Sequence, residues 1–576
     1  MKIMDTESGI GGGAFTGTES MLPSINTPDR QGQAFPVLTP AQIDRIRPYG
    51  AARSVRAGEI LFEPRELGMP CFVLLSGKLE ILMTRLSGEH VFVTYGPGGF
   101  SGEMVLISGA RSLSRGRVAE PGEFLELSAD ALRSLIAKDA ELSDIFMRAF
   151  ILRRHALITE GLGNVIIMGS RYSANTLRLR EFLTRNGHPH TYIDLDNDAS
   201  AQELLDRFNL KIDEIPVLIC DGTAVLRNPT TQQVAECLGF AGTVDQSRIL
   251  DVAIVGAGPA GLAAAVYAAS EGLDAVVIEA EFPGGQAGTS SKIENYIGFP
   301  TGISGLELTG RAVVQAEKFG AQMLVGQQVV QIDCDRKPYQ LSLENGDVLK
   351  ARSIVIAAGA QYNKPNISNL KQFEGNGIYY AATFMESQLC GGDEAIVIGG
   401  GNSAGQAAVF LAETAHKVYM LIRGKTLSET MSRYLIQRIT KHPVIELHLE
   451  TELLSLEGDS HLERVTWLDQ SSGERLTREI RHVFVMAGAS PRSDWLRGCV
   501  AMDQQGFILT GRDLDPVLSS APRKWPLGRR PEMLETSLPA VYAVGDIRSG
   551  NVKRVASAVG EGAISIHLVQ LALAEI

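Results

Sequence analysis

The 576-residue sequence has few cysteines, and their spacing excludes several common kinds of site. The six cysteines are too few for the disulfide scaffold of a small secreted domain. No two of them form a Cys-x-x-Cys pair, which rules out the simplest zinc and dithiol redox motifs. The N-terminal residues also lack an apolar run of the signal-peptide type, so we expect a cytoplasmic protein.

Basic residues are fewer than acidic ones, 54 against 66, and the formal net charge is −12. A protein that binds nucleic acid mainly through phosphates needs a basic face, so we expect no nucleic-acid partner. The most membrane-like stretch, residues 252–269, is interrupted by three glycines and a proline. A Rossmann-type strand, turn and helix explains this stretch better than a membrane span, and we expect no membrane association.

Glycine, by contrast, is abundant: 60 of the 576 residues are glycine, a larger share than the average of about 7%. The glycines have no three-residue period, which excludes collagen. With 44% hydrophobic residues, most of the sequence is predicted to be globular. The glycines must therefore lie in turns and at positions where the backbone closely approaches a ligand or another part of the chain. At roughly 100–200 residues per domain, the length predicts about three to five domains.

The sequence divides into segments of different pattern. Residues 1–38 are rich in Gly, Ser, Thr and Pro and predict a flexible tail. Residues 39–160 begin with short apolar runs split by glycines, which predict a small antiparallel β-barrel or roll, and end with helical periodicity. Residues 161–245 predict a short α/β unit. From residue 246 the sequence alternates between β and α patterns, with glycine-rich turns, so the fold class is multidomain α/β.

The first glycine-rich turn has the features of a dinucleotide-binding loop. A strand at 251–255 leads into G-x-G-x-x-G, formed by Gly256, Gly258 and Gly261, and an Ala-rich helix follows. The glycines let the turn close and let a pyrophosphate approach the helix N-terminus. The next strand ends in Glu279, where an acidic side chain can bind a ribose hydroxyl. This loop therefore predicts an adenine dinucleotide with a free 2′-hydroxyl, such as FAD.

A second loop of the same kind follows the strand at 395–398. Its sequence is G-x-G-x-x-A, with Gly399, Gly401, Asn402, Ser403 and Ala404. The next strand ends in Arg423, which can pair with a 2′-phosphate that an acidic side chain would repel. This loop predicts NADPH in preference to NADH. Two such loops predict two Rossmann units and hydride transfer from nicotinamide to flavin.

With these loops in place, residues 250–576 resemble a thioredoxin-reductase-type flavoprotein. In that family the NADP domain is inserted in the FAD domain, which implies FAD segments at 246–364 and 489–576 and an NADP domain at 365–488. Further matching motifs imply a set of flavin-site residues. These are Gly285, Gln286, Asn295, Gly359, Gly545, Asp546, Arg554, Val555 and Ala556. The resemblance also implies a homodimer.

The sequence departs from that family where its redox cysteines should lie. The two cysteine positions match Ala381 and Phe384, and the position of the family's proton-donating acid matches Met385. Neither Ala nor Phe can form a thiolate, so the dithiol relay cannot operate at this position. Cys390 follows shortly after and could be a substitute thiol, although a structural cysteine is the favoured interpretation. The catalytic residues are therefore left open, and no metal site is predicted.

Residues 39–160 resemble a cyclic-nucleotide-binding domain in the strands and turns of its roll. The segment from residue 100 to 112 resembles the phosphate-binding cassette, which implies Gly102, Glu103, Arg111 and Ser112 as contacts to cAMP or cGMP. Arg111 would neutralise the cyclic phosphate, and Glu103 would accept from the ribose 2′-hydroxyl. The cassette is short and carries Leu113 where a small residue is usual, so a roll that has lost its ligand stays an alternative.

Residues 161–245 resemble a thioredoxin/glutaredoxin-like domain that lacks its Cys-x-x-Cys. Ser173 and Thr176 stand at the two cysteine positions, where a hydroxyl can cap a helix but cannot carry electrons. Residues 214–218 fit the cis-proline segment, with Gly222 in the following turn. Cys220 and Cys237 are interpreted as core residues. The domain is therefore expected to have a binding or coupling role.

Three functions remain open at this point. The favoured one is an NADPH-dependent FAD oxidoreductase regulated by a cyclic nucleotide. Its acceptor would be the disulfide of a protein partner such as thioredoxin, or else a ferredoxin or flavodoxin, a quinone, or oxygen. The second is a thioredoxin-disulfide reductase that uses Cys390 or another thiol. The third is a sensor without turnover, in which nucleotide and flavin occupancy change a binding surface.

Overall fold

A computed structural model describes most of the sequence. The described residues are 32–64, 66, 68–85, 88–102, 112, 114–159, 165–170, 173–196, 214–220, 224–240, 242, 245–290, 292–367, 369–380, 382, 387, 390–459, 461–515 and 525–575. They form two compact units. The first unit comprises Met1–Gly169 and Gly187–Phe240, and the second comprises Ser170–Asn186 and Ala241–Ile576.

The helices and strands are numbered along the chain. The α-helices are α1 (Pro40–Ile46), α2 (Ala129–Lys138), α3 (Ala140–Thr159), α4 (Ala174–Arg185), α5 (Thr231–Leu238), α6 (Pro259–Ser270), α7 (Gly305–Lys318), α8 (Leu370–Phe373), α9 (Asn402–Leu411), α10 (Arg433–Thr440) and α11 (Val555–Glu575). The strands of the first unit are β1 (Ala51–Val55), β2 (Ile60–Phe62), β3 (Cys71–Leu74), β4 (Lys78–Arg85), β5 (Gly88–Tyr95), β6 (Arg115–Glu120), β7 (Gly122–Leu127), β8 (Val165–Gly169), β9 (Thr191–Asp194), β10 (Val217–Cys220) and β11 (Ala224–Arg227).

The strands of the second unit begin where its long α/β region begins. They are β12 (Ile249–Val255), β13 (Ala275–Glu279), β14 (Gln322–Val325), β15 (Val329–Asp333), β16 (Tyr339–Leu343), β17 (Val348–Ile356), β18 (Ala360–Tyr362), β19 (Ile378–Tyr379), β20 (Glu394–Ile398), β21 (Lys417–Leu421), β22 (Ile445–His448), β23 (Thr451–Glu457), β24 (Arg464–Asp469), β25 (Arg475–Arg478), β26 (His482–Val485), β27 (Ala489–Pro491) and β28 (Val541–Ala543).

The first unit contains the predicted antiparallel roll. Two sheets, in the orders β1-β7-β3 and β2-β6-β4-β5, enclose Phe72 and Phe124. Phe100 packs on Phe146 of α3, with the ring centroids 4.3 Å apart, so α3 is part of the same core. Ala34 and Leu38 are also buried, and the predicted flexible tail of residues 1–38 is therefore wrong for these last residues, because their side chains pack in the core. Residues 1–31 lie outside the described residues.

A third sheet of the first unit has the order β11-β10-β8-β9, in which only β8 and β9 run parallel. The peptide bond between Ile215 and Pro216 is cis, as the cis-proline motif predicts. Cys220 in β10 is bonded to Cys237 in α5. The interpretation of this pair as ordinary core residues is therefore incomplete, because tertiary packing brings the two sulfurs together.

The second unit is built on two mainly parallel sheets. The larger has the order β14-β13-β12-β17-β16-β15, with β28 also paired to β17. The smaller has the order β19-β26-β20-β21-β22. Strands of the larger sheet therefore come from both sides of the segment that forms the smaller one, and β28 returns to pair in parallel with β17. Cys334 and Cys499, which flank that segment, form a second disulfide.

Helix α11 is the one described helix long and apolar enough to be considered as a membrane span. Part of its surface is buried within the second unit, including Ile566 and Val569. A Cβ atom at Gly562 would lie 2.1 Å from the carbonyl oxygen of Ala260, so α11 and α6 cross closely. This packing is typical of a core helix.

Candidate functional site

The segments predicted to bind flavin follow one edge of the larger sheet. Strands β12, β13, β17 and β28 are parallel, so their carboxyl ends lie together. The first glycine loop follows β12, Glu279 ends β13, Gly359 follows β17 and Gly545 follows β28. Ligands of open α/β sheets bind outside the carboxyl ends of the strands. This edge of the sheet is therefore the candidate cofactor site.

The structure explains the three glycines of the first loop in different ways. Gly256 has φ +104°, and a Cβ there would lie 2.4 Å from the carbonyl oxygen of Ala357. A Cβ at Gly261 would lie 1.8 Å from the carbonyl oxygen of Gly256. Gly258 has an ordinary φ of −70°, and the nearest atom to an added Cβ is 4.0 Å away. The fold does not itself require glycine at 258, so the open space there suits a closely approaching pyrophosphate.

Glu279 is held in place beside the first loop. Its carboxylate accepts hydrogen bonds from the backbone N–H of Ala257, at 2.7 Å, and of Glu281, at 3.0 Å. The side chain is buried, and this burial raises the carboxyl pKa although the two backbone donors oppose the shift. Carboxylate oxygens can accept more than one hydrogen bond each, so Glu279 retains the capacity to bind a ribose hydroxyl.

The predicted flavin-lining loop packs directly on the first glycine loop. Gly284 and Gly285 both have positive φ, and the backbone N–H of Gly284 donates to the carbonyl of Ala257. A Cβ at Gly285 would lie 3.0 Å from the Cα of Gly258, so a side chain at this position would be both crowded and strained. Gln286 donates through Nε2 to the carbonyl oxygen of Ala360, at 2.8 Å, which ties the loop to the chain just after Gly359.

Not every predicted flavin residue is held so firmly. Gly359 has φ +67° and open space beside it, while Asn295 is exposed. Asn295 therefore lies in a surface segment, and its role as a flavin contact stays a prediction.

Gly545 and Asp546 connect β28 to the same site. A Cβ at Gly545, which has φ +73°, would lie 3.0 Å from the side chain of Ala260 in the first turn of α6. The backbone N–H of Gly545 donates to Glu561 of α11, at 2.7 Å. Burial raises the pKa of Asp546, and Lys553 partly offsets this shift. The sequence gives no local signal for the role of Glu561, because this residue lies inside an apolar helix.

Arg554, Val555 and Ala556 lie at the beginning of α11. The helix begins at Val555, and the carbonyl of Arg554 accepts the first helical hydrogen bond, from Ala558. Arg554 and Ala556 are exposed. The positive end of the helix dipole is thus beside the Gly545 turn, where negative charge on a bound flavin would be stabilised.

The second glycine loop repeats the turn at the end of β20. Gly399 has φ +139°, and a Cβ there would lie 2.4 Å from the carbonyl oxygen of Met486 and 3.2 Å from the side chain of Ala404. Gly401 precedes α9, and the nearest atom to an added Cβ is 3.9 Å away. Asn402 accepts a hydrogen bond from the backbone N–H of Ser432, at 2.8 Å, and Ser403 is exposed.

Arg423 lies in the chain just after β21, which is the neighbour of β20 in the smaller sheet. Its side chain is exposed, and within the described part of the chain no ion pair or hydrogen bond holds its guanidinium. The guanidinium of Arg423 is therefore available to pair with the 2′-phosphate of a nucleotide bound at the second loop.

The segment predicted to replace the redox cysteines is only partly described. Ala381, Phe384 and Met385 lie outside the described residues. Just before them, Tyr380 donates through its hydroxyl to Glu374, at 2.7 Å, and Lys364 pairs with the same carboxylate. Cys390 is completely buried in the core of the smaller sheet, with Sγ 3.4 Å from the carbonyl oxygen of Ser387. This burial agrees with a structural role for Cys390.

In the roll, the predicted cassette is described only at its two ends. Gly102 has φ +111°, and its carbonyl accepts a hydrogen bond from Arg153 of α3, at 2.8 Å. Ser112 is buried and donates to the carbonyl of Ser114. Glu103, Arg111 and Leu113 lie outside the described residues, so their contacts to a cyclic nucleotide stay predictions.

Ser173 acts as the predicted helix cap. Its hydroxyl accepts a hydrogen bond from the backbone N–H of Thr176 at the beginning of α4. Thr176 is completely buried. Gly222 lies outside the described residues. Among the described residues, no group of three His, Cys, Asp or Glu side chains has the arrangement of a metal site.

Two family descriptions match the chain. Residues 250–562 match "Pyridine nucleotide-disulphide oxidoreductase", and residues 52–139 match "Cyclic nucleotide-binding domain". The second match covers most of the roll and α2.

Individual proteins give a consistent result. The thioredoxin reductase of Mycoplasmopsis pulmonis is 31% identical over 323 residues, which are 56% of this chain and 97% of that protein. The thioredoxin reductase of Bacillus subtilis is 30% identical over 334 residues, 57% of this chain and 96% of that protein. The crystal structure of Lactococcus lactis thioredoxin reductase in its FR conformation superposes with a TM-score of 0.51 and 26% identity, covering 57% of this chain and 100% of that one.

Proposed function

Because the chain belongs to the pyridine nucleotide-disulphide oxidoreductase family, we propose that it transfers electrons from NADPH through FAD to an acceptor and does so without a Cys-x-x-Cys relay. The family and its thioredoxin reductase relatives make the chain a flavin-dependent NAD(P)H oxidoreductase. A contrast supports the finer proposal: both dinucleotide loops have the glycines they need, whereas the resemblance matches Ala381 and Phe384 to the redox cysteine positions.

The residues around the first loop fit FAD. The space beside Gly258 admits a pyrophosphate, and the fixed carboxylate of Glu279 suits the adenosine ribose. Asp546 follows β28 as a compact acceptor for the ribitol chain, and the beginning of α11 favours negative charge near it. When bound, FAD supplies the two-electron carrier between NADPH and the acceptor.

For NADPH, Gly401 leaves room for the pyrophosphate, and Arg423 pairs with the 2′-phosphate. The role of the protein in the reaction is to bring the nicotinamide and the flavin together and to exclude competing reactions. No side chain of this chain is assigned a proton or a thiolate in the transfer.

The acceptor is the step where this chain should differ from its relatives. Thioredoxin is the acceptor that the names of the relatives suggest, but reducing its disulfide normally requires a thiol pair on the reductase. Burial of Cys390 disfavours it as a substitute. We therefore expect ferredoxin, flavodoxin, a quinone or oxygen, or a partner disulfide that reaches the flavin directly.

The cyclic-nucleotide-binding domain provides regulation in this proposal. Arg153 of α3 donates a hydrogen bond to the carbonyl of Gly102 in the cassette, so a ligand that moves the cassette would also act on this helix. Such a ligand, cAMP or cGMP, changes the rate only if it binds two conformations with different affinity.

The test is an anaerobic stopped-flow experiment with full-length protein and NADPH, followed by an acceptor screen with and without cAMP or cGMP. We expect flavin bleaching and rapid reoxidation by one of the non-thiol acceptors. No bleaching would favour a sensor without turnover. Thioredoxin reduction that is lost in Cys390→Ser would instead favour a reductase with a substitute thiol.

A further inference from the structure

An arginine outside both Rossmann motifs reaches the flavin-lining loop. Arg185 is the last residue of α4, and one Nη atom donates to the carbonyl of Gly285. The other Nη atom pairs with Glu181, one turn earlier in α4, at 3.2 Å. A Cβ added at Gly288 would lie 2.7 Å from Arg185, so the guanidinium is pressed against the loop.

The guanidinium is buried to an extent that is unusual for arginine. Only 6% of the side chain is exposed, and the guanidinium carbon lies 3.5 Å from the centre of the Phe282 ring. Burial lowers the pKa of Arg185, and the carboxylates of Glu181, Glu279 and Glu281 oppose that shift. The Nε atom is buried without a hydrogen-bond partner among the described residues. An unsatisfied buried N–H group is costly, so a hydrogen-bond acceptor on a bound ligand would stabilise this guanidinium.

The position of the Arg185 guanidinium indicates which chemical group of a ligand would accept its hydrogen bonds. Gly285, which Arg185 contacts, packs against the backbone of Gly258 in the first glycine loop. Glu279, predicted to bind the ribose, is close enough to influence the guanidinium charge. The guanidinium therefore lies on the flavin-lining loop, at the residue that packs against the turn predicted to receive the pyrophosphate. Guanidinium groups bind phosphate oxygens through several N–H donors at once.

We propose that Arg185 binds the pyrophosphate of FAD and thereby makes α4, which precedes the Rossmann region in the sequence, part of the cofactor site. Its positive charge also reduces the repulsion between the pyrophosphate and the carboxylate of Glu279. The inference rests on FAD as the cofactor of the first loop and not on the identity of the electron acceptor.

The test compares full-length apoprotein of the native sequence with Arg185→Gln and Arg185→Lys by titration with FAD, ADP and adenosine. We expect Arg185→Gln to weaken FAD binding by about 10- to 100-fold, the usual effect of losing a charge-assisted hydrogen bond. ADP, which carries a pyrophosphate, should lose the same factor, whereas adenosine should bind as before. Arg185→Lys should retain part of the affinity because it retains the charge.

Arg311→Gln is a matched control. Arg311 also pairs with a glutamate one turn earlier in its helix, Glu307, and also lies near an aromatic ring, that of Phe299. Its side chain is 59% exposed, however, and we expect its replacement to leave FAD affinity within about twofold.

Three results would overturn the proposal. If Arg185→Gln binds FAD with the affinity of the native protein, Arg185 does not contact the pyrophosphate. Tighter binding would show that Arg185 occupies space that the cofactor needs. An equal loss for FAD and adenosine would show that Arg185 supports the fold rather than the pyrophosphate. If Arg185→Gln fails to fold, the ratio of ADP to adenosine affinity in Arg185→Lys decides, and an unchanged ratio rejects the proposal.

Discussion

The two glycine loops share a turn but differ in the side chain that follows the second strand. In the first loop, Glu279 is buried and both carboxylate oxygens accept backbone hydrogen bonds. In the second, Arg423 is exposed, and no described residue holds its guanidinium. A fixed group loses little freedom when a ligand binds, whereas a mobile one must be ordered. We infer that the first site is built for a resident cofactor and the second for one that exchanges.

The first glycine loop is also packed more tightly against its neighbours than the second. At the third motif position the first loop has Gly261, where the helix approaches so closely that no Cβ fits, while the second loop has Ala404. The flavin side is also covered by α11, whose Glu561 holds the Gly545 turn. The more enclosed loop is the one assigned to FAD.

The largest expected effect comes from adding a methyl group at the first loop. Gly261→Ala would place Cβ 1.8 Å from the carbonyl oxygen of Gly256, so the strand and helix must separate. We expect the free energy of unfolding in urea to fall by about 3 kcal/mol or more, with loss of bound FAD. Gly401→Ala, with its nearest atom 3.9 Å away, is the control and should cost less than about 1 kcal/mol. If the free energy of unfolding falls by a similar amount in the two variants, the two loops do not differ in packing as described.

A second prediction concerns the disulfide that joins the two flanks of the smaller sheet. Cys334 and Cys499 are separated by 165 residues, so their bond restricts a long loop in the unfolded chain. Replacing both with serine should lower the free energy of unfolding by about 2–4 kcal/mol. Dithiothreitol should lower the stability of the native protein and of the double variant unequally, with the smaller change in the variant. Equal sensitivity to the reductant would argue that this bond does not stabilise the protein.

The third prediction addresses the exposed arginine of the second loop. Arg423→Ala removes one charge-assisted contact and should weaken NADPH binding by about 10- to 100-fold. NADH binding should not change, because NADH has no 2′-phosphate. Arg497→Ala, at another exposed arginine of the second unit, serves as the control. Unchanged discrimination between NADPH and NADH in Arg423→Ala would reject the assignment.

The smallest effect is a pH dependence at Glu279. Burial raises the pKa of its carboxyl in the folded protein, so the folded state holds the proton more tightly than the unfolded chain. The resulting stability is fully present below the unfolded pKa of about 4.5 and is lost as pH rises through the folded value. Urea unfolding of the apoprotein should show a smaller decline with rising pH in Glu279→Gln. A decline as steep as in the native protein would place the titration elsewhere.

The sequence predicted the features that depend on neighbouring residues. Both glycine loops, the strands before them, the Ser173 cap and the cis bond before Pro216 depend on short segments with strong local preferences. The family resemblance then supplied the arrangement of flavin-site segments around the sheet. These features could be recognised because each is encoded within a few residues.

Contacts between distant segments were not predictable in this way. Glu561 reaches Gly545 from the middle of α11, and Arg185 reaches Gly285 across 100 positions of sequence. The two cysteine pairs likewise depend on strands and helices that meet only after folding. The buried Ala34 and Leu38 lie in a segment whose composition resembles a flexible tail, because composition does not reveal a packing partner.

The most direct test of the central claim is an anaerobic titration of the FAD-bound, full-length protein with NADPH, in which flavin absorbance is followed to complete reduction. Electron transfer without a cysteine relay predicts that one equivalent of NADPH, which carries two electrons, fully reduces each flavin. A requirement for two equivalents would reveal a dithiol that shares electrons with the flavin and would contradict the proposed function.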